Sequence, residues 1–205
     1  DTEKESEARW QKIQTPKNFS MTEQQAEEAL IQMEWFRNNQ QWDNYYRSWQ
    51  LRSNALSAMG KLQLALQETQ HMLSDAKERN NKLGHAMAYK QIGVIYLNMK
   101  QTEPAVDALQ HYAELMKDEE SDISSLSNIY YRMAKAYDYD EAYDKELQVT
   151  NDWKRFLREK VGQRTDPESR ECYNAWYLAK AAAYIGLKQF ENAQEALDSA
   201  TYHTT

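Results

Sequence analysis

Apolar side chains recur every three or four residues along most of the chain, which is the pattern of amphipathic α-helices that bury one face. From residue 20 onward this period continues with only short interruptions and predicts nine helices. Their spans are 21–40, 42–58, 61–79, 83–99, 103–117, 122–138, 141–160, 167–186 and 189–202. Because the connections are short, successive helices must run antiparallel. The pattern therefore predicts an all-α fold.

Individual residues mark several helix ends. Asp166 followed by Pro167 offers an N-cap residue and then proline at the first helical position, where an N–H has no partner anyway. Gly60 and Gly162 stand where a helix would end in a left-handed residue, a conformation that glycine adopts without steric cost. We therefore expect helix boundaries at these positions.

The beginning of the chain lacks the helical period. Residues 1–19 are polar and include a proline, so we predict an irregular lead-in. Ser20 followed by Glu23 has the spacing of a capping box. We predict one helical-repeat domain over residues 20–205, with an N-terminal helix and about four helix pairs. The last predicted helix keeps an apolar stripe that a stacked helix would cover, so we expect the natural chain to continue beyond Thr205.

The composition shows which residues fill a helical core. Five glycines and three prolines in 205 residues are too few for a turn-rich β-fold. Fourteen Tyr, six Trp and eight Met supplement a modest content of branched aliphatic residues. Aromatic side chains can pack against small residues while their polar tips reach water. We therefore expect a folded chain with many partly buried aromatic residues.

One pair of predicted helices carries a repeat motif. The first helix carries an aromatic residue, a large residue, glycine and tyrosine, which are Tyr89, Ile92, Gly93 and Tyr96. The second helix carries alanine and a large residue, which are Ala105 and Leu109. Gly93 lets two helices approach closely, while Tyr89 and Tyr96 lie seven residues apart on one helix face. Ala105 is small enough to receive them. This pattern resembles the tetratricopeptide (TPR) family.

The same register recurs more weakly elsewhere. The further repeat-packing positions are Trp49, Ala65, Tyr130, Tyr137, Tyr177, Tyr184 and Ala193. Successive anchors, from Trp49 to Tyr177, are spaced by 40, 41 and 47 residues, which exceeds the 34 of the standard repeat and indicates longer helices. Five residues depart from the pattern. Arg52 and Ser53 replace the usual pair in the first repeat, Glu146 and Thr150 replace an alanine and a large apolar residue, and Lys180 occupies a position that is usually apolar.

The resemblance implies a right-handed superhelical stack of antiparallel helix pairs, a TPR-like α-solenoid with long repeats; a closed bundle of long helices is the alternative. In a solenoid the first helices of the pairs line a concave groove. The predicted groove residues are Arg47, Gln50, Asn54, Lys90, Gln91, Asn98, Asn128, Tyr131, Arg132, Lys135 and Tyr139, and the fourth repeat adds Ala175, Leu178, Ala182 and Ile185. These amide, cationic and aromatic groups suit a peptide or another protein, and a merely solvated face is the alternative.

The TPR family includes a carboxylate clamp that grips the C-terminus of a peptide. The clamp uses lysine, asparagine and arginine side chains on three successive repeats. Asn54 and Arg132 match it, whereas Gln50, Gln91 and Asn128 stand where lysine, asparagine and lysine are needed. Because most of the donor charge is missing, we do not expect an adaptor for chaperone tails.

The net charge, and the wide separation of the histidines and the cysteine, argue against other classes of function. A net charge of −7 and a pI near 5.2 provide no basic surface for nucleic acid. The four histidines are far apart, and Cys172 is the one cysteine, so we predict no metal, no cofactor and no catalytic site. No apolar run approaches the roughly 18 residues of a membrane helix. A membrane contact would come only from segments outside this sequence.

The expected function is recognition. From the resemblance to long TPR-like repeats of bacterial sensory proteins, we predict a non-catalytic signal-input (sensor) module that binds a protein or peptide ligand. It would belong to a larger signalling protein, such as a two-component histidine kinase, and lie in the periplasm or elsewhere outside the cytoplasm. The alternative is a cytoplasmic TPR scaffold or adaptor that binds a peptide or helix in the groove.

Overall fold

The computed structural model describes residues 2–14, 22–119 and 122–204, and within these ranges it contains ten α-helices and no strand. The helices are α1 (Glu3–Gln14), α2 (Thr22–Asn38), α3 (Trp42–Ala58), α4 (Leu62–Glu78), α5 (Lys82–Asn98), α6 (Thr102–Met116), α7 (Ile123–Tyr139), α8 (Tyr143–Lys160), α9 (Pro167–Gly186) and α10 (Phe190–Thr204). The all-α class is confirmed, and the nine predicted helices correspond to α2–α10.

The N-terminal segment corrects one prediction, because residues 3–14 form a helix rather than an irregular lead-in. Thr2 and Glu5 make a capping box: the Glu5 N–H donates to Thr2 Oγ1 at 3.3 Å, and the Thr2 N–H donates to Glu5 Oε2 at 2.8 Å. Trp10 then packs edge-to-face on Phe36 of α2, with ring centroids 5.5 Å apart. Ser6 Oγ of the same helix donates to Gln32 Oε1 of α2 at 2.9 Å. The cap, the Trp10 ring and this buried hydrogen bond therefore hold a helix that has little apolar period of its own. The predicted capping box at Ser20 lies outside the described residues.

The chain divides into two compact units, Asp1–Tyr112 and Ala113–Thr205, and the boundary falls within α6. In unit 1, α3 contacts α2, α4 and also α5, so alternate helices lie side by side. Tyr46 of α3 is fully buried, and its hydroxyl donates to Asp75 Oδ2 of α4 at 2.7 Å. Gly93 faces α6 so closely that a Cβ atom there would lie 2.6 Å from the Leu109 side chain.

Unit 2 repeats this arrangement with tryptophans in its core. Here α8 contacts α7 and α9, α9 contacts α10, and α7 also contacts α9. The indole N–H of Trp153 on α8 donates to Ser127 Oγ on α7 at 2.9 Å. The indole N–H of Trp176 on α9 donates to the carbonyl oxygen of Thr150 on α8 at 2.7 Å. Buried indoles thus join α8 to α7 and α9 to α8.

The turns between helices have a recurring geometry. Left-handed residues follow the helices at Gln40, Gly60, Asn80, Lys100, Glu141, Gly162 and Lys188. At Lys100 the turn is a Schellman motif, because the Gln101 N–H donates to the Tyr96 carbonyl at 2.9 Å and the Lys100 N–H donates to the Leu97 carbonyl at 3.1 Å. The first four turns recur every 20 residues, which explains the 40-residue spacing of the first anchors.

The predicted helix ends at Gly60, Gly162 and Asp166 are confirmed. Gly60 and Gly162 have φ values of 77° and 59°. The Asp166 side chain accepts a hydrogen bond from the Ser169 N–H at 3.2 Å, with Pro167 in the first turn of α9. Local sequence chemistry therefore sets these boundaries.

Candidate partner-binding faces

The predicted groove residues of unit 1 lie on the adjacent helices α3 and α5. Arg47, Asn54 and Asn98 are exposed, Gln50 and Lys90 are half-buried, and Gln91 is buried. The Gln91 side-chain amide donates a hydrogen bond to Asn54 Oδ1, which joins the two helices. The Lys90 ammonium lies 5.4 Å from the centroid of the Tyr112 ring. Two of the predicted groove residues thus satisfy each other, which leaves less polar capacity for a partner on this part of the face.

In unit 2 the predicted groove residues on α7 are all exposed to solvent. These residues are Asn128, Tyr131, Arg132, Lys135 and Tyr139. The exposed fraction is 40% for Tyr131 and 75% for Tyr139. On the neighbouring helix α9, Leu178 and Ile185 are 47% and 49% exposed. We call these α7 residues, together with Leu178 and Ile185, the α7–α9 face.

The α7–α9 face combines apolar area with positive charge. Exposed large apolar side chains are informative when several occur together, because most such side chains are buried in the core. No carboxylate of the described residues lies within 4 Å of the side-chain nitrogens of Arg132 or Lys135. The face can therefore bury apolar groups of a partner and also attract its negative charges.

Solved structures identify the fold. A protein described as a kinesin light chain with nearly identical TPR-like repeats, from Podosopora anserina, superposes with a TM-score of 0.67 at 13% identity, covering 97% of this chain and 92% of that chain. The chain has a TPR-like fold. RapI in its apo form matches with a TM-score of 0.63 at 14% identity, covering 100% and 84% of the two chains. MamA matches with a TM-score of 0.52 at 15% identity, covering 90% and 92%. At these identities the likeness concerns the fold alone. No protein-family model matches the sequence, and no curated protein matches it.

The predicted repeat-packing residues of the TPR-like fold occupy the helix contacts in several ways. Ala65, Ala105, Leu109, Tyr137 and Ala193 are buried, and Trp49, Tyr89, Tyr96, Tyr130, Tyr177 and Tyr184 are half-buried. Tyr89 stacks between two histidine rings, with centroids 5.2 Å from His85 and 4.7 Å from His111. Tyr130 stacks on Phe156 with centroids 5.3 Å apart. Much of the aromatic content therefore packs ring against ring rather than against alanine alone.

Glu146 is an electrostatic feature that the repeat pattern marks only as a mismatch. It lies in the first turn of α8 with a 1% exposed side chain, and neither carboxylate oxygen has a hydrogen-bond partner of regular geometry. Burial, and next the proximity of Asp138, raise the pKa of Glu146 to about 8, while Lys135 opposes this shift. A carboxyl in these surroundings holds its proton near neutral pH. In the sequence, the feature that indicates this buried carboxyl is a glutamate at a position where the repeat pattern has alanine.

Other reactive groups are dispersed. The described residues contain no group of three His, Cys, Asp or Glu side chains placed to hold a metal ion. Cys172 is buried in α9, and burial raises the pKa of its thiol, which disfavours the nucleophilic thiolate. His71 is exposed, and the His203 side chain lies outside the described residues. Within the described ranges, every helix is too short or too polar to span a bilayer.

Proposed function

We propose that the chain is a non-catalytic module that binds a segment of a partner protein, or a peptide, on the face predicted as the groove. The contact surface in unit 2 is the α7–α9 face. In unit 1, the exposed residues Arg47 and Asn98 of α3 and α5 form a separate candidate surface. The observation that carries the proposal is the exposure of Tyr131, Tyr139, Leu178 and Ile185, each between 40% and 75%. Covering such side chains with a partner removes apolar surface from water.

The charge of the α7–α9 face defines the partner. Arg132 and Lys135 lie one turn apart on α7 and favour acidic side chains, which an extended or helical segment can present beside apolar ones. Tyrosines contribute large contact area at small cost in side-chain entropy. The expected ligand is therefore a peptide segment that mixes acidic and apolar residues.

A selection from a random peptide library tests this function directly. Peptides that bind the wild-type chain should be enriched in acidic and apolar residues. The double variant Arg132→Glu, Lys135→Glu should bind them at least tenfold more weakly, because two attractive contacts become repulsive. The matched control is Arg155→Glu, Lys188→Glu, which makes the same change in charge at exposed positions of unit 2 outside the face. Equal binding by both double variants would remove the α7–α9 face from the proposal.

The finer proposal is that this binding is the input of a larger signalling protein, such as a bacterial two-component histidine kinase, and that the module lies outside the cytoplasm. Its support is the resemblance of the long repeats to sensory proteins. Reading the complete gene tests it, since a sensor requires an export signal or membrane span and an output domain. Cell fractionation tests the compartment. The alternative, a cytoplasmic scaffold, would use the same face without either segment.

A further inference from the structure

A cavity of about 370 Å³ lies in unit 2 among α8, α9 and α10. Its aromatic walls come from α9, in the side chains of Tyr173, Trp176, Tyr177 and Tyr184. Its cationic walls are formed by three side chains, Lys154 and Arg158 of α8 and Lys180 of α9. The volume falls within the range of roughly 300–1,000 Å³ that is usual for small-molecule sites.

The aromatic walls are fixed before any ligand enters. Trp176 is almost completely buried, and its indole N–H is held by the Thr150 carbonyl at 2.7 Å. The Tyr173 hydroxyl donates to the Gly162 carbonyl at 2.9 Å. Rings that are already oriented lose little further freedom on binding, so more of the contact energy appears as affinity.

The cations of the cavity are brought together with no carboxylate of the described residues in ion-pair contact. The ammonium groups of Lys154 and Lys180 lie 5.7 Å and 5.1 Å from the centroid of the Trp176 ring. Among the described residues, no carboxylate approaches within 4 Å of the side-chain nitrogens of these lysines or of Arg158. Burial, and next the charge of Lys154, lower the pKa of Lys180. Glu195, which also lines the cavity, attracts Lys180 only at longer range. An anion between these groups would relieve both the repulsion and the loss of hydration.

The cavity is distinct from the α7–α9 face. Each residue of an α-helix advances about 100° around the axis. Tyr177, Lys180 and Tyr184, at intervals of three and four residues, therefore share one side of α9. Leu178 and Ile185 lie roughly 80–160° around the helix axis from these three residues, and neither lines the cavity. The two surfaces can thus be occupied and tested independently.

We propose that this cavity binds a small organic anion that carries a carboxylate or phosphate group on an aromatic body. Lys154, Arg158 and Lys180 hold the anionic group, and the rings of Trp176 and Tyr184 contact the aromatic body. The same chemistry is available in a free aromatic acid or phosphate and in a phosphotyrosine side chain of a peptide. The site is independent of the proposed peptide-binding face.

Isothermal titration calorimetry at low salt tests the proposal with four probes: phenyl phosphate, benzoate, inorganic phosphate and benzyl alcohol. We expect the two aromatic anions to bind at least tenfold more tightly than inorganic phosphate and benzyl alcohol, because only they engage both kinds of wall. A short peptide with an internal phosphotyrosine distinguishes the sources. Tighter binding of that peptide than of phenyl phosphate indicates a peptide ligand, and weaker binding indicates a free small molecule.

Variants locate the binding site. Lys154→Gln, Lys180→Gln should weaken phenyl phosphate binding at least tenfold, whereas Arg155→Gln, Lys188→Gln removes two exposed charges elsewhere in unit 2 and should leave it unchanged. If the first variant fails to fold, NMR shift changes in the wild-type chain replace it, and they should centre on α8, α9 and α10. The proposal is overturned by the absence of wild-type binding at about 1 mM phenyl phosphate, by equal effects of the two variants, or by shifts centred on α7.

Discussion

Replacing Glu146 with glutamine should stabilise the protein at pH 8 and leave its stability nearly unchanged at pH 4. Glutamine keeps the shape of the side chain and cannot ionise. The pKa of Glu146 rises from 4.5 to about 8 in the folded protein, and one pKa unit corresponds to about 1.4 kcal/mol. The charged form in the folded protein is therefore disfavoured by roughly 3–5 kcal/mol. That penalty is the upper bound for the gain from the Glu146→Gln substitution.

The direction of the pH dependence follows from proton binding. Between about pH 4.5 and pH 8, the folded state holds the Glu146 proton and the unfolded state has lost it. The free energy of unfolding therefore falls as the pH rises through this window, and this contribution levels off above pH 8. The Glu146→Gln variant lacks the contribution. Its advantage over the wild type should grow steadily from pH 4.5 to pH 8.

Urea unfolding followed by far-ultraviolet circular dichroism at pH 4.5, 6 and 8 measures this difference. The matched control is Glu159→Gln, which neutralises an exposed carboxylate on the same helix and should show no comparable trend. A constant difference between Glu146→Gln and wild type across the three pH values would show that Glu146 does not keep its proton in the folded protein. So would a variant that is less stable than the wild type at pH 8.

Three further substitutions test other features of the fold. Lys100→Gly should raise the free energy of unfolding by about 0.5–1 kcal/mol in urea, because Lys100 holds a left-handed φ of 60° that glycine adopts freely; a loss of stability would contradict this. Gly93→Ala should lower the free energy of unfolding by about 1–3 kcal/mol, because the new Cβ would lie 2.6 Å from the Leu109 side chain. Unchanged stability would mean that the Leu109 side chain moves aside without cost. Burial, and then the charges of Lys77 and His111, lower the pKa of His85, so its protonation favours unfolding. Its contribution to stability is lost as the pH falls below about 6.5, which is opposite in sign to the contribution of Glu146. Relative to the wild type, His85→Gln should therefore gain melting temperature from pH 7 to pH 5, whereas His71→Gln, at an exposed histidine, should not.

The helices and several of their ends could be predicted because their causes are local. The 3.6-residue period, Gly60 and Gly162 are visible in the sequence, and each acts on the backbone within a few residues of itself. Lys100 was not recognisable as a left-handed residue, since lysine has no preference for that conformation. The 20-residue spacing of the turns and the packing of their helices impose it. The helix of residues 3–14 was missed because it depends on a contact between Trp10 and a distant helix.

Some features of the candidate sites could likewise be predicted from the sequence, and others depend on the fold. The exposed positions on α7 follow from helical periodicity, so residues such as Tyr131 and Arg132 could be assigned to one face without a structure. The burial of Glu146 depends on the packing of α8 against its neighbours, and the sequence showed only that a glutamate replaces an alanine. The cavity could not be predicted, because Lys154, Lys180 and Glu195 lie on three helices that only the fold brings together.

Hydrogen–deuterium exchange of the wild-type chain, with and without a library-selected acidic and apolar peptide, tests most directly whether the α7–α9 face is the binding surface. We expect slower exchange in α7 and α9 when the peptide is bound, because partner contact reduces local opening of these helices. The Arg132→Glu, Lys135→Glu variant should lose this protection at the same peptide concentration. Protection confined to α8 and α10, or protection that persists in the variant, would show that the partner binds elsewhere.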